Sequence, residues 1–306
     1  MNLQIIQGPA YILLGSKTWY TEGDVIVNYP TESWSPMSAM FGSLGSRLSS
    51  RHAVISFTPA GAVTAATATS KHLTYSCANV GDPICTEILE ICPKTGNKIT
   101  WAKAGISKMP SLRCSATSTI WGAMEITAVG DFAKLPTAPD FWQVIAATTV
   151  ATEKFDGSQV ISPRYVANYD ALTAIEPDEN GFMIEPETAV APMPRAANYG
   201  VVQFVLSSIA VSCRFKPLSL TEAEVASLCH LQDATAHRPG DSALGSDLVI
   251  KDGALVPTLT ITLKNMAPFD LGYGFGTAIW RQGEVTFRNN SVTFVTGVPA
   301  ALWTFV

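Results

Sequence analysis

Charge is scarce in this chain of 306 residues. Charged residues make up 15 % of the sequence, and the formal net charge is −5. Nucleic-acid binding through a basic patch needs clustered lysine and arginine, so this balance argues against it. No apolar run reaches membrane-spanning length, and the first residues lack the charged start and apolar core of a signal peptide. We therefore expect synthesis in a cytoplasm and no membrane partner.

Catalytic and metal-binding patterns are also missing. The sequence has no phosphate-binding loop, no nucleophile elbow and no zinc-protease motif. Histidine occurs only at His52, His72, His230 and His237, and no second pair stands at ligand spacing from Cys229-His230. We therefore predict that the chain is not an enzyme and holds no cofactor and no metal.

The sequence contains an internal duplication. Residues 120–127 read IWGAMEIT and residues 279–286 read IWRQGEVT, an offset of 279 − 120 = 159. The offset stays at 158 or 159 for a collinear series of matches: Gly23 with Gly181, Phe57 with Phe215, His72 with His230, Gly81-Asp82 with Gly240-Asp241, Leu89 with Leu248, and Ile91 with Ile250. Self-similarity on this scale predicts a duplicated architecture. We predict two tandem similar domains, residues 1–150 and residues 151–306.

Strand patterns dominate both halves. Residues 24–29 and 53–58 are rich in β-branched and aromatic side chains, and residues 255–263 alternate threonine with apolar residues. One helix is predicted at residues 219–229, where Ser219 with Glu222 and Thr221 with Glu224 form overlapping capping boxes. Residues 30–50 and 186–199 carry turn residues and read as long loops. The fold class is therefore mainly β, a sandwich or barrel with a flanking helix.

Glu125 and Glu284 are carboxylates repeated on equivalent strands, each four residues after a repeated tryptophan, Trp121 or Trp280. A charge kept in both copies fits a solvated strand residue, an ion pair between subunits, or part of an acidic channel. The tryptophans themselves favour core positions.

The six cysteines do not match at the repeat offset and form no C-x-x-C pair. Disulfides that held a duplicated fold would recur in both copies. We therefore predict reduced and mostly buried thiols.

Two phrases carry a family resemblance. Residues 55–61 read ISFTPAG and are echoed by Arg214-Phe215-Lys216-Pro217, and the strand at Trp121 is echoed at Trp280. On these motifs the chain resembles a tail tube protein of a long-tailed bacteriophage, with a duplicated tube domain. The resemblance covers both copies.

The resemblance implies a structural virion protein. Six such domains form a ring, so three chains would make a pseudo-hexameric ring, and stacked rings would form the tail tube that conducts DNA. It also implies contacts with other tail proteins, such as the tape measure and the tail terminator, and a net acidic lumen past which DNA slides without specific binding. We select Glu125 and Glu284 as lumen-lining candidates.

One alternative is a β-sandwich binding module, for example for carbohydrate. Such a module needs exposed aromatic side chains, and Trp19, Trp34 and Trp101 are the candidates. A contractile and a non-contractile tail remain equally compatible with the sequence.

Overall fold

The protein is almost entirely β, and six of its strands close into a barrel, so the predicted fold class is confirmed. We describe a computed structural model. It covers residues 7–35, 37–43, 45, 47–60, 72–73, 79–95, 98–115, 119–129, 143–145, 165–195, 200–218, 220–221, 224, 228, 245–252, 259–275, 280–289 and 302–306.

The described part of the chain contains 21 strands. In chain order they are β1 (Gln7–Leu14), β2 (Lys17–Asn28), β3 (Thr31–Trp34), β4 (Met37–Ser38), β5 (Gly42–Ser43), β6 (Arg47–Arg51), β7 (Ala53–Ala60), β8 (Glu87–Thr95), β9 (Lys98–Lys108), β10 (Leu112–Cys114), β11 (Thr119–Trp121), β12 (Met124–Val129), β13 (Gln143–Ile145), β14 (Tyr165–Tyr169), β15 (Leu172–Ile175), β16 (Phe182–Arg195), β17 (Gly200–Phe215), β18 (Ser246–Asp252), β19 (Thr260–Phe275), β20 (Trp280–Asn289) and β21 (Trp303–Phe305).

The first sheet is the closed barrel. Its strands follow the order β12-β7-β2-β1-β8-β9, and β9 pairs with β12 to complete the circuit. Strand β13 pairs with β9 outside this circuit. Along β7, Ala53, Ile55 and Phe57 are buried while the residues between them are half-exposed. The period of two places apolar side chains inside the barrel and polar ones outside.

The second sheet repeats the same order of neighbours. Its order is β17-β20-β19-β18-β14-β15, and these strands take the places of β7, β12, β9, β8, β1 and β2 in the first sheet. Strand β21 pairs with β19 as β13 pairs with β9. After β15 the chain reaches the end of β17, where Asp178 N donates to Lys216 O (2.8 Å) and Leu218 N donates to Glu176 O (2.9 Å). These bonds complete a circuit of neighbours like that of the first sheet.

Even a local irregularity recurs at the repeat offset. The β8–β9 ladder shifts by one residue between Glu87 and Leu89, and the β18–β19 ladder shifts between Ser246 and Leu248. The offsets are 246 − 87 = 159 and 248 − 89 = 159. A shared bulge is a feature that a duplication predicts, because bulges are inherited as part of the strand.

Gly23 and Gly181 also share a conformation. Both have positive φ, 79° and 72°. Gly23 lies in the irregular stretch of β2 against β7, and Gly181 lies in the break between β15 and β16. On both sides of Gly23 the chain pairs with β7, and on both sides of Gly181 it pairs with the end of β17. Each glycine therefore lies in an irregularity of that pairing, where positive φ favours a residue without a Cβ atom.

One predicted equivalence is shifted. Phe57 pairs with Met124, whereas Phe215 pairs with Val285. At the offset of 159, Val285 corresponds to Ile126 rather than to Met124. The register in this part of the second sheet therefore differs by two residues from the sequence match.

A hairpin from the first half of the chain belongs to the second sheet. Strands β10 and β11 belong to the first half of the chain, yet β10 pairs with β16, with Leu112 opposite Ile184. The hydroxyls of Thr119 and Tyr165 are hydrogen-bonded at 2.8 Å, which joins β11 to β14. Buried side chains of both sheets form one continuous core. The predicted boundary at residue 150 lies outside the described residues and stays a prediction.

The loop predicted at residues 186–199 is wrong for most of its length. Strand β16 continues through Pro186, Pro192 and Pro194 to Arg195, paired throughout with β17. Among the described strands, only β17 pairs with this part of β16, because β10 reaches no further than Ile184. Proline is tolerated at such an edge, where its missing N–H would face away from the ladder.

The segment of the predicted helix is described at four positions, Leu220, Thr221, Glu224 and Leu228. Thr221 N and Thr221 Oγ1 both donate to a Glu224 carboxylate oxygen, at 2.6 and 2.8 Å, and Glu224 N approaches Thr221 Oγ1 at 3.4 Å. This is the reciprocal capping box expected at a helix start. The hydrogen bonds to Thr221 lower the pKa of the Glu224 carboxyl. Glu224 and Leu228 are helical, Leu220 and Thr221 are not, and the other residues of the segment lie outside the described residues.

Two β-ribbons extend from the sheets. We call residues 29–52 the first arm, which links β2 to β7 and contains the ladders β3–β6 and β4–β5. We call residues 186–211 the second arm, which is the part of the β16–β17 hairpin beyond its pairing with β20. The arms occupy equivalent places in the two halves.

Candidate assembly surface

The two candidate carboxylates match in the sequence repeat, but their positions on the two sheets differ by two residues in register, and their surroundings differ. Glu125 is half-exposed on β12, and Lys108 Nζ lies 3.9 Å from its carboxylate. Glu284 is exposed on β20. Both side chains alternate with buried residues of their strands, so both point outward from the barrel interior. Their place in a lumen stays a prediction.

Glu284 borders a cleft of about 500 Å³. The residues that line it come from β10, β16, β17, β20 and the turn before β16: Arg113, Asp178, Asn180, Gly181, Met183, Arg214, Phe215, Lys216 and Glu284. The guanidinium of Arg113 donates to the main-chain oxygen of Asn180 (3.1 Å) and to its side-chain oxygen (3.2 Å). Three cationic side chains and two acidic ones face this space, so the surroundings of Glu284 are mixed rather than acidic.

Ion pairs cross the outer face of the second sheet. Glu185 lies 3.5 Å from Arg214, and Glu187 lies 3.1 Å from Arg288. All four side chains are more than 40 % exposed, and exposed pairs contribute about 0.2–1 kcal/mol each. Glu185 and Glu187 of β16 therefore serve as partners of arginines on other strands of the same sheet.

The second arm is docked onto the first half of the chain. Its backbone pairs with the loop before β8: Gly81 N donates to Leu206 O (2.7 Å), Leu206 N donates to Asp82 O (3.1 Å), and Ile84 N donates to Phe204 O (2.8 Å). Phe204 and Leu206 are buried in this contact. The arm thus adds backbone hydrogen bonds and apolar burial at one place, the combination used when an extended segment is captured.

A side-chain amide completes this ladder. Gln203 Oε1 accepts from Cys85 N (2.9 Å), and Gln203 Nε2 donates to Cys85 O (3.1 Å). The Cys85 thiol points to the barrel and donates to Thr127 O at 3.4 Å. Burial raises the pKa of the Cys85 thiol to about 12, although a backbone hydrogen bond with Phe204 opposes the shift. The thiol is therefore protonated and enclosed between the second arm and β12.

The barrel wall beneath the arm is shaped for close approach. A Cβ atom on Gly105 of β9 would collide with the backbone of Ile84. Further along β9, Ser107 is only 8 % exposed, and its carbonyl accepts from Thr188 Oγ1 at 3.1 Å. Thr127 of β12 is buried although its side chain alternates with the inward residues. The outer face of β9 and β12 is therefore a covered face.

The first arm differs from the second at its end. Met37 is 75 % exposed, Met40 is 84 % exposed and Phe41 is 76 % exposed. The turn that presents them is ordered by Ser38, whose hydroxyl accepts from Met40 N (3.2 Å) and Phe41 N (3.3 Å). Three large apolar side chains on one fixed turn are the mark of an interaction surface rather than of scattered exposure.

Two residues that recur in the sequence repeat, His72 and Trp121, are in contact. The imidazole stacks on the indole with ring centres 4.5 Å apart and an angle of 19° between the planes. Both side chains are buried. Their counterparts His230 and Trp280 lie outside the residues whose side chains are described. The stack gives His72 a packing role.

Two of the three aromatic candidates for a carbohydrate platform are not exposed to a ligand. Trp19 and Trp101 are buried inside the first barrel, at 2 % and 0 % exposure. The Trp34 side chain lies outside the description. Two of the three predicted platform residues are therefore core residues, and the prediction of exposed tryptophans is wrong for them.

Four of the six cysteines fall within the described residues, and all four are buried thiols outside any disulfide: Cys85, Cys92, Cys114 and Cys213. Burial raises the pKa of the Cys114 thiol to about 12 and that of Cys213 well above its ordinary value. Cys77 and Cys229 lie outside the description. The prediction of reduced, buried thiols is confirmed for the four described residues.

Comparison with known proteins gives no family for the chain. Neither a protein-family model nor a curated protein sequence matches it. Within the described ranges no helix is long and apolar enough to cross a membrane, and no group of three or more histidine, cysteine or acidic side chains is placed to hold a metal ion. The surfaces described above therefore carry the functional argument.

Proposed function

We propose that the chain is a structural subunit of the tail tube of a long-tailed bacteriophage. In this proposal three chains form a ring with six equivalent barrel positions, and stacked rings form the conduit for DNA. The tube resemblance of residues 55–61 and of the strand at Trp121 motivates the family. The repeated order of neighbours in the two sheets supports two like units per chain.

One observation carries the assembly argument. The contact inside the chain joins unlike surfaces of like units: the second arm of one unit lies on the outer face of the other. Contacts of this head-to-tail kind generate rings when the rotation closes and filaments when it does not. A unit that already makes one such contact within its own chain is suited to make the next one with a neighbour.

DNA would pass through the ring without specific binding. Each lysine or arginine that neutralises a phosphate adds affinity, so a conduit should present few of them to its channel. The chain has 25 acidic and 20 basic residues. We propose that the lumen is net negative and that Glu125 or Glu284 contributes to it. The charge counted over the lumen-facing residues of a solved ring would decide this, and a net positive lining would contradict it.

The proposal places the protein in the virion, after assembly in the host cytoplasm. Its partners would be other copies of itself and tail proteins such as the tape measure and the tail terminator. It gives the chain no catalytic role and no cofactor.

Negative-stain microscopy and light scattering of the purified protein test the proposal. We expect rings or tubes in which each ring contains three chains. A ring of six chains would contain twelve barrels and would contradict the pseudo-hexameric arrangement. A protein that stays monomeric up to high concentration would contradict the structural role itself.

A further inference from the structure

The covered face of the first barrel has an uncovered counterpart on the second. Ile99 pairs with Ile91 and Ile261 pairs with Ile250, which sets the offset between β9 and β19 at 261 − 99 = 162. Ser107 of β9 therefore corresponds to Phe269 of β19, since 107 + 162 = 269.

At these two matching positions the polar residue is buried and the aromatic residue is exposed. Ser107 is covered at 8 % exposure, and Phe269 is 54 % exposed. Thr127, which is 3 % exposed, pairs with Gly105, and the position that matches Gly105 is Ala267, since 105 + 162 = 267. Ala267 pairs with Arg288, which is exposed. A large aromatic side chain thus stands in the open where its counterpart is buried beneath an arm. Exposed apolar groups of this kind mark contact sites.

Thr286 and Phe269 are neighbours on one face. Thr286 pairs with Asp270, the residue after Phe269, and on its other side it pairs with Arg214 of β17. The next outward residue of β20 is Glu284. We call Phe269, Thr286, Arg214 and Glu284 the open face. It has an apolar residue bordered by charged ones, the composition of a contact centre with a polar rim.

The two arms also differ in the exposure of their apolar side chains. The second arm buries Phe204 and Leu206 against the first half of the chain, whereas the first arm exposes Met37, Met40 and Phe41 at its turn. The base of the first arm contacts the second arm, where His52 lies with its ring centre 5.2 Å from that of Phe204, but the turn of the first arm is exposed. One chain therefore contains one occupied pair of arm and face, and one pair in which the turn of the arm and the face are both exposed. The exposed arm turn belongs to the first half of the chain, and the exposed face belongs to the second half.

We propose that the first arm of one chain docks on the open face of a second copy, as the second arm docks on the first barrel within a chain. This inference rests on the proposed self-assembly and names the surfaces that make it. Methionine adapts to irregular apolar surfaces, and an aromatic residue such as Phe269 offers sulfur and ring contacts to it. The interface would be unlike-to-unlike and would propagate around a ring in one direction.

Two variants separate the surfaces. Phe41→Ser with Met40→Ser removes the apolar turn of the first arm, and Phe269→Ser with Thr286→Arg removes the open face. Ile88→Ser is the matched control, because Ile88 is 55 % exposed on β8 and belongs to neither surface. All the substituted side chains are exposed or half-exposed, so the monomers should keep the melting temperature of the parent chain. Loss of one buried aromatic anchor weakens association by about 10- to 100-fold.

The decisive experiment mixes the two variants. Each alone should stay monomeric at concentrations where the parent chain and Ile88→Ser form rings. Mixed in equal amounts, they should form a complex of two chains and nothing larger, because the intact arm of one fits the intact face of the other and both ends are then blocked. Light scattering after size exclusion reads the mass.

The outcomes distinguish the two proposals. A parent chain that never assembles would overturn the proposed function and this inference together. Variants that still form rings, or a mixture that stays monomeric while the parent chain assembles, would overturn the arm-to-face contact and leave the tube subunit standing.

Discussion

The two halves of the molecule share an architecture and differ in what covers them. In the first half, the wall formed by β9 and β12 lies beneath an arm, a loop and a buried thiol. In the second half, the matching wall of β19 and β20 carries an exposed phenylalanine and exposed charges. The strands, their order and even a bulge are repeated, so the fold alone does not cause this difference.

The contrast shows how a duplicated chain can differ from two copies of a single unit. When two identical units meet, each keeps the same pair of surfaces. When they are fused, one contact becomes internal and its residues are free to specialise as core, as Phe204 and Leu206 have done. The remaining contact must stay soluble in the free chain, so polar side chains surround its apolar residues.

The largest expected effect is on thiol reactivity. Cys85 lies beneath the docked second arm, and burial raises the pKa of its thiol from 9.0 to about 12. At pH 8 its thiolate fraction should be about 1000-fold smaller than that of an ordinary thiol. A thiol introduced by Phe41→Cys on the exposed first arm should react at the ordinary rate. Timed labelling with mass spectrometry compares them, and equal rates would show that the second arm is not docked in solution.

The same thiol gives a pH dependence with a defined sign. The folded-state pKa of Cys85 lies above its unfolded value, so the unfolded chain loses the proton first as the pH rises. The stability that this thiol contributes is complete below about pH 9 and is lost as the pH rises toward about 12. Denaturant midpoints measured from pH 8 to pH 11 should therefore fall, and Cys85→Ala should reduce the slope of that fall.

The next effect is on folding stability and compares the two arms directly. Leu206→Ala opens a cavity under the second arm and should lower the free energy of unfolding by about 2–5 kcal/mol. Met40→Ala on the first arm should change it by less than about 0.5 kcal/mol, because the side chain is 84 % exposed. Urea denaturation of dilute monomers measures both. Similar losses for the two variants would contradict the docked and undocked assignment.

The equivalent glycines should respond unequally. Both Gly23 and Gly181 have positive φ, so alanine at either position should cost about 1–2 kcal/mol in backbone strain. A Cβ atom at Gly181 would also collide with the carbonyl oxygen of Cys114, whereas nothing lies within 4 Å of the Cβ position at Gly23. Overpacking should add about 1–3 kcal/mol at Gly181 only. Thermal unfolding of the two alanine variants tests the difference, which vanishes if the β10 contact is absent.

The smallest expected difference lies in the ion pairs. Lys17 and Glu87 of the first sheet are 3.2 Å apart with side chains 11 % and 22 % exposed, whereas Arg288 and Glu187 of the second are 56 % and 42 % exposed. A double-mutant cycle should give about 0.2–1 kcal/mol for the exposed pair, and the coupling should fall as salt is added. We expect a larger coupling with less salt dependence for Lys17 and Glu87. The reverse order would show that burial does not govern these pairs.

The sequence predicted the parts of the fold that local pattern determines. The β-branched and aromatic residues at 53–58 located β7, and the capping residues Thr221 and Glu224 marked the start of the helix. The repeat offset matched Leu89 with Leu248, whose strands have equivalent neighbours. These features depend on neighbours in the chain or on comparison of the two halves, which a single sequence contains.

The features that it missed depend on long-range packing. Prolines at 186, 192 and 194 suggested a loop, and only the free edge of β16 allows a strand there. The pairing of β10 with β16 joins residues of different halves, and no local pattern encodes it. Glu125 and Glu284 are equivalent in sequence, yet Lys108 lies beside one and a cleft with three cations beside the other. Surroundings of this kind are set by the tertiary structure.

The hairpin of β10 and β11 has a consequence for how the protein is made. Strands β10 and β11 leave the ribosome before their partner β16 has been translated, so the first half must wait for the second to cover this edge. An unpaired edge is a place where nascent chains aggregate, and chaperones recognise such exposed intermediates. Translation that stops after the first barrel would leave the hairpin unpaired. The edge of β10 is therefore paired only in chains that have been translated through β16, and a prematurely terminated chain differs from a whole one in keeping this edge exposed.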